Sequence, residues 1–174
     1  MKKEMSKYKT DEEYLLIIDN IMKNEEFKKM NNIKHHNTTR MDHSLKVSYY
    51  SYVIAKSLRL DYEDVARGGL LHDFYTEQIS DCSKIKDKLL LFSTKHPNEA
   101  VMNSMEHFEL TEKEVNIIQT HMFPVDYKIP KYAESWIVSF VDKVLSLGEF
   151  SKKFSYKLTY IFNLYLIFIL NIIK

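Results

Sequence analysis

HSLKVSYYSYVIAKSL at residues 43–58 and ARGGLLHDF at residues 66–74 carry the clearest structural signals of the chain. Apolar side chains recur at helical spacing in the first stretch, at Leu45, Val47, Tyr50, Ile54 and Leu58. This spacing predicts a helix over about residues 40–58. The second stretch predicts another helix, with Asp61 as its N-cap. Two consecutive helices with apolar faces indicate a helical domain.

Gly68 and Gly69 are unusual inside the second of these helices, because each costs a helix roughly 1 kcal/mol relative to alanine. Only three glycines and three prolines occur in the 174 residues, so a consecutive pair inside a helix needs a local reason. Since glycine has no Cβ, it lets a neighbouring backbone approach. We therefore expect another element to pack closely against this turn.

Helix start signals extend the pattern toward the N-terminus. Thr10 and Glu13 form a capping box, which predicts a first helix over about residues 11–30. The polar residues that follow, about 31–39, are typical of a loop.

Further start signals lie on the C-terminal side. Pro97 suits the first position of a helix over about residues 98–108. A second capping box, Thr111 with Glu114, opens the next helix. After the loop HMFPVDYKIP, the pattern predicts a helix over about residues 131–150. No segment alternates convincingly with period two, so the predicted fold is all-α, an orthogonal bundle of about six to eight helices.

The C-terminal tail has a different composition. Almost every residue of 158–173 is apolar. Sixteen helical residues span about 24 Å, less than the roughly 30 Å hydrocarbon core of a bilayer. We expect a domain over residues 1–150 and a hydrophobic C-terminal helix over 151–174. That helix would dock on the domain or cover a dimer interface, with membrane contact as the alternative.

The overall charge of the chain does not point to a charged macromolecular partner. Lys+Arg 25 against Asp+Glu 24 gives a formal charge of +1, which supplies no argument for nucleic acid or an anionic membrane as partner. Cys82 is the single cysteine, and the N-terminus lacks the apolar region of a secretory signal. Both features favour a cytoplasmic protein. Oligomeric state is not predicted.

Four of the seven histidines are associated with predicted helices and accompany two aspartates. The six candidate metal ligands are His43, His72, Asp73, His96, His121 and Asp142. The separations 43→72, 73→96, 96→121 and 121→142 are 29, 23, 25 and 21 residues, each enough for a helix and a connection. Helical bundles build internal metal sites from facing helices in this way. Divalent metals favour such mixtures of imidazole and carboxylate.

Five motifs in this order, HSLKVSYYSYVIAKSL, ARGGLLHDF, KHPNEAV, IIQTHMFP and SFVDKVLS, resemble the HD-domain superfamily of metal-dependent phosphohydrolases. The resemblance covers about residues 35–150 and implies an HD-type bundle. It also implies that one metal is held by four residues: His43, His72, Asp73 and Asp142. His96 and His121 match members that hold a second ion, with Asp73 bridging the two.

The resemblance implies an enzyme that hydrolyses a phosphate mono- or diester, of a nucleotide or related small molecule, with metal-activated water. We predict Asp73 and His72 as catalytic residues, because Asp73 would bridge the ions and orient or deprotonate the water. Two ions are expected, with single occupancy as the alternative, and Fe, Mn, Co, Ni, Zn and Mg are not distinguished. The alternatives are a non-catalytic metal- or nucleotide-binding regulator, and a helical interaction protein acting through its tail.

Four further residues are candidate substrate contacts. Arg40 lies three residues before His43, on the same helical face, and would contact a phosphate unless it forms a salt bridge at the helix start. Lys128 and Lys131 flank the proline loop, and His36 precedes the second helix. Many family members continue HD with Gly and then Lys, whereas this chain reads HDFYTE. The GYP element of cyclic-dinucleotide phosphodiesterases is also missing from the sequence.

Overall fold

The computed structural model describes residues 8–35, 38–75 and 85–150. Seven α-helices occur in these ranges: α1 (Glu12–Lys23), α2 (Glu25–Lys28), α3 (Arg40–Ser57), α4 (Tyr62–Leu71), α5 (Ile85–His107), α6 (Glu112–Thr120) and α7 (Ala133–Phe150). The only strands there, β1 (Lys34–His35) and β2 (Thr38–Thr39), form a two-residue antiparallel pair. The predicted all-α fold is confirmed.

Helix α4 lies at the centre of the bundle, in contact with α1, α3, α6 and α7. The glycine pair explains how it fits there. A Cβ built on Gly69 would lie 3.1 Å from the backbone Cα of Ser48 in α3. A Cβ on Gly68 would lie 2.9 Å from a methyl group of Ile117 in α6. The close approach predicted from the sequence therefore occurs on both sides of α4.

The first helix departs from the sequence prediction at both ends. Asp11, one residue after the predicted cap, is the N-cap, and its carboxylate accepts a hydrogen bond from Tyr14 N at 3.1 Å. The helix ends at Lys23, because Asn24 is extended and its side chain caps the short α2. Residues predicted as one helix are thus divided into α1, α2 and a 3₁₀ turn at Lys29–Asn32.

The prediction for Pro97 is wrong. Helix α5 begins at Ile85 and passes through Pro97, so His96 lies inside the helix and not before its start. A proline inside a helix removes a hydrogen bond and costs about 3 kcal/mol. Burial of Ala100 and packing of α5 against α6 offset the cost of the proline. This tertiary packing cannot be read from the sequence.

The remaining helices follow their predicted boundaries closely. The Thr111–Glu114 capping box is present, with both of its reciprocal hydrogen bonds. Thr39 caps α3 through a hydrogen bond from Asp42 N. Helix α7 begins at Ala133, two residues later than predicted.

Two apolar clusters form the core. The first joins α1, α2, α3 and the end of α4 with single residues of α5 and α6, and its buried members include Tyr14, Ile18, Phe27, Leu70 and Phe74. The second joins α3, α4, α6 and α7, and includes Val47, Val65, Ile117, Ile137 and Val138. Because α3, α4 and α6 contribute to both clusters, they connect the two parts of the core.

Two predictions lie outside the described residues: the C-terminal helix over 151–174 and the contribution of His36. Among the helices that are described, none combines the length and the apolar character that a bilayer crossing requires.

Candidate metal centre

The structure brings all six predicted ligands into one buried cluster. His43 comes from the second turn of α3, His96 from the middle of α5 and Asp142 from α7. His72 and His121 are the C-caps of α4 and α6, and Asp73 follows His72 directly. None of the six residues is more than 7% exposed.

His72 and His121 are held in the same way. The Nδ1–H of His72 donates to the Gly69 carbonyl at 2.7 Å, and that of His121 donates to the Ile118 carbonyl at 2.8 Å. Each carbonyl lies three residues earlier, in the last turn, where helical carbonyls lack helical partners. Since a carbonyl only accepts, Nδ1 carries the proton and Nε2 keeps its lone pair. Both lone pairs are therefore available to a metal.

The first triad consists of His43, His72 and Asp142. Asp142 Oδ1 lies 3.0 Å from His43 Nε2 and 3.8 Å from His72 Nε2. The candidate ligand atoms of this triad all lie within 4.8 Å of one another. One divalent ion fits such a set of two imidazoles and one carboxylate.

The second triad consists of Asp73, His96 and His121. Asp73 Oδ1 lies 3.6 Å from His96 Nε2 and 3.7 Å from His121 Nε2. The other oxygen of Asp73, Oδ2, lies 3.6 Å from His72 Nε2. One carboxylate therefore presents its two oxygens to two different sets of imidazoles, as a ligand that bridges two ions must.

The chemistry of these donors fits divalent ions. His96 Nε2 and His121 Nε2 are only 2.9 Å apart, and the His121 atom carries a lone pair. His72 Nε2 also carries a lone pair, and this buried atom has no hydrogen-bond donor among the described residues. Burying such an acceptor without a partner costs about 1–3 kcal/mol. A cation among these atoms would accept the lone pair of His72 Nε2 and would explain why the His96 and His121 nitrogens face each other so closely.

Electrostatics also favour cations at this position. Burial lowers the pKa of His121 well below its usual range, so this imidazole stays neutral. Burial alone would raise the pKa of Asp73, but the surrounding imidazoles reverse the shift and keep the carboxylate ionised. Helices α4 and α6 both end at the cluster, and each C-terminus carries about half a negative charge. The carboxylates and the two helix C-termini therefore all favour a cation at this position.

The four predicted substrate contacts have different positions. Arg40 is buried, with its guanidinium 3.8 Å from the centre of the Tyr75 ring and Nη1 donating to the Tyr75 carbonyl. Lys128 reaches Asn98 of α5 at 2.7 Å, two residues beyond His96. Lys131 lines a shallow cavity of about 340 Å³ beside α6, and none of the six cluster residues lines that cavity. The structure does not describe His36.

Lys143 is a residue of the site that sequence reasoning missed. Its Nζ donates to the His121 carbonyl and lies 3.3 Å from Asp142 Oδ2. Burial lowers the pKa of Lys143, and the attraction of Asp142 opposes that shift. A lysine directly after a candidate ligand, inside the apolar stretch SFVDKVLS, was the available signal. The chain lacks a lysine after HD, yet a lysine is present beside the cluster.

Residues 40–147, more than half of the chain, match the family model described as the HD domain. No curated protein matches the chain, and neither does any solved structure. The matched residues contain all six members of the cluster. The chain therefore belongs to the HD domain family, a superfamily of metal-dependent phosphohydrolases.

Proposed function

We propose that the protein is a phosphohydrolase that uses two divalent ions to cleave a phosphate mono- or diester of a nucleotide or related small molecule. The observation that carries this proposal is the orientation of Asp73, whose oxygens face His72 on one side and both His96 and His121 on the other. A single structural ion would need only one of these groups.

Divalent ions supply two things to such a reaction: they neutralise phosphoryl charge, and they lower the pKa of a bound water toward about 7. The residues of the chain supply the rest. Neutral imidazoles leave most of the cationic charge available to the anionic substrate. Asp73 is an ionised acceptor between the two triads, so it can orient a water or take its proton.

Arg40 remains our proposed phosphate contact. Its Nε–H is buried and makes no hydrogen bond to the described part of the chain, and guanidinium groups suit phosphate oxygens. Lys128 is a second proposed contact, because its exposed side chain spans from the proline loop to α5. Lys131, after the proline loop, and His36, before α3, stay predicted substrate contacts.

The alternative is a regulatory protein that binds metal and a nucleotide without turnover. The same six residues serve both functions, so the ligand set does not separate them. The presence of Lys143 beside the cluster favours the enzyme, because a cation there suits developing phosphoryl charge better than it suits a site that only stores metal.

Metal-dependent turnover is the experiment that tests the proposal. The full chain, stripped of metal and then reloaded with Mn²⁺ or Co²⁺, is assayed with p-nitrophenyl phosphate, bis(p-nitrophenyl) phosphate and a panel of nucleotides. We expect hydrolysis that requires metal and is lost in Asp73→Ala. Tight metal binding without hydrolysis of any of these esters would support the regulator instead.

We further propose that the active domain lies within residues 1–150, that residues 151–174 are an accessory segment, and that the protein is cytoplasmic. A chain ending at residue 150 should stay folded, bind metal and retain turnover. Loss of folding on truncation would show that the apolar tail belongs to the domain.

A further inference from the structure

His96 lies on a helix that differs from those of the other cluster residues in its core packing. Those residues lie on α3, α4, α6 and α7 or directly after them, and these four helices share the second core cluster, whereas α5 joins the first cluster through Ala100. His96 lies on α5, which contacts α6 extensively and α4 much less. A contact between His96 and the turn that carries Asp73 would therefore help to hold the His96 imidazole toward that carboxylate.

Tyr75 provides that contact. Its ring centre lies 5.3 Å from the His96 ring centre, and the residue is only 2% exposed. Its backbone N–H donates to the Asp73 carbonyl at 2.8 Å, so the same residue is tied to the turn that carries the bridging carboxylate. Tyr75 thus contacts two of the three members of the second triad.

Arg40 in turn holds Tyr75. The guanidinium lies 3.8 Å from the Tyr75 ring centre, within the range of a cation–π contact, and Nη1 donates to the Tyr75 carbonyl. Arg40 lies in the first turn of α3, one helical turn before His43. A continuous line of contacts therefore runs from α3, the helix that carries His43, through Arg40 and Tyr75 to His96.

We infer that Arg40 and Tyr75 are positioning residues that hold Asp73 and His96 in place for the second ion. We call this pair the Arg40–Tyr75 strut. It rests on the proposed function and extends it, because binding of the second ion would depend on two residues that are not themselves ligands. It predicts that Arg40 controls metal occupancy, whereas a phosphate contact alone would control only substrate binding.

Titration of the metal-free full chain with Co²⁺ tests the strut, with ions per chain and the visible absorption spectrum as readouts. For the wild type we expect two ions. In Arg40→Met and Tyr75→Leu we expect the first ion to bind normally and the affinity for the second to fall at least about tenfold, the size of effect typical when support for a ligand is lost. Tyr75→Phe keeps the ring and should stay close to wild type.

Arg67→Met is the matched control. Arg67 is another largely buried arginine, which joins Glu114, Asn20 and the Glu109 carbonyl away from the cluster. Its loss should lower thermal stability and leave both Co²⁺ ions bound. Circular dichroism verifies folding, and if Arg40→Met fails to fold, the contrast between Tyr75→Phe and Tyr75→Leu decides the question.

Three results would overturn the strut: wild-type affinity for both ions in Arg40→Met or Tyr75→Leu, equal loss of the second ion in Arg67→Met, or a wild type that binds one ion. A raised KM with unchanged Co²⁺ binding would leave Arg40 as a phosphate contact only. Two bound ions without hydrolysis would contradict the proposed function, while the variants would still support or overturn the strut.

Discussion

The two triads at the centre of this protein are built on supports of different kinds. The first, His43, His72 and Asp142, is carried by α3, α4 and α7, whose apolar residues share one core cluster. The second, Asp73, His96 and His121, combines a turn, the long helix α5 and the end of α6. Asp73 faces His72 as well as its own partners, so it links the two triads.

This difference suggests which half of the site is the more easily disturbed. A ligand on helices packed through their apolar faces keeps its position when one polar contact is lost. Asp73 and His96 are joined through Tyr75, whose ring contacts His96 and whose N–H donates to the Asp73 carbonyl. A hydrogen bond from Asn103 of α5 to the Phe74 carbonyl at 3.2 Å also ties α5 to the turn of Asp73. We therefore expect the second ion to be the more sensitive to substitution.

Asp73→Ala should have the largest effect, because it removes the carboxylate whose two oxygens face the two triads. We expect loss of both ions and at least about a thousandfold loss of turnover, which corresponds to about 4 kcal/mol of transition-state stabilisation. Metal analysis and steady-state kinetics measure these. His72→Ala should behave alike, and retention of two ions by either variant would contradict the bridging arrangement.

His121→Ala and His96→Ala should affect the second ion selectively. We expect one ion per chain with the first-ion affinity within a few-fold of wild type, and turnover reduced by about 10–100-fold or more. His43→Ala is the matched comparison, since it removes one imidazole from the first triad. If all three variants lose both ions equally, the two triads do not act as separable sites.

Lys143→Met should come next in size. Without the ammonium, Asp142 Oδ2 and the His121 carbonyl lose a shared donor, so a ligand from each triad is less well oriented. We expect kcat/KM to fall by about 10–100-fold, with partial recovery in Lys143→Arg.

Lys113→Met is the control for this change. Lys113 has a similar side-chain exposure, 24% against 26%, and pairs with Asp61 and Glu134 away from the cluster. Its loss should reduce stability slightly and leave kinetics unchanged. Equal kinetic loss in both variants would indicate a general effect of removing a half-buried lysine.

The glycine pair offers the smallest and sharpest comparison. In Gly69→Ala the new Cβ meets the α3 backbone, so His43 should shift, whereas in Gly68→Ala it meets Ile117 of α6 and should shift His121. Overpacking lowers the free energy of unfolding by about 1–3 kcal/mol, and the better helix propensity of alanine restores about 1 kcal/mol. Tm should therefore fall by a few degrees, at roughly 2–4 °C per kcal/mol.

Co²⁺ titration completes the comparison of the two glycine variants. Gly69→Ala should weaken the first ion more, and Gly68→Ala the second. The reverse order, or no difference, would show that the affinity for each ion does not depend on the helix that packs against the substituted glycine.

Much of the fold was predictable because local signals dominate it. The helices around His43, His72 and Asp142 followed from apolar spacing, and the Thr111–Glu114 box marked the start of α6. Errors occurred where local rules competed. Asp11 replaced Thr10 as a cap one residue away, and tertiary packing carried α5 through Pro97.

The candidate site was predictable in its members but not in its supports. Ligand residue types, their spacing and the family motifs are all properties of the sequence. Tyr75 has no such signature, and Lys143 has only its place after Asp142 in an apolar stretch, so contact in space is what shows that each touches the cluster.

From the sequence one can infer that this chain is helical, that six histidine and aspartate side chains gather in the bundle, and that His72 and Asp73 end a helix. Apolar periodicity and helix capping involve residues that are close in sequence, so they can be recognised without a structure. The packing of the helices, in contrast, sets which imidazoles each oxygen of Asp73 faces, which imidazoles face each other, and which residues hold them. Those relations join positions up to 99 residues apart, and they arise from packing of α4 between α3 and α6.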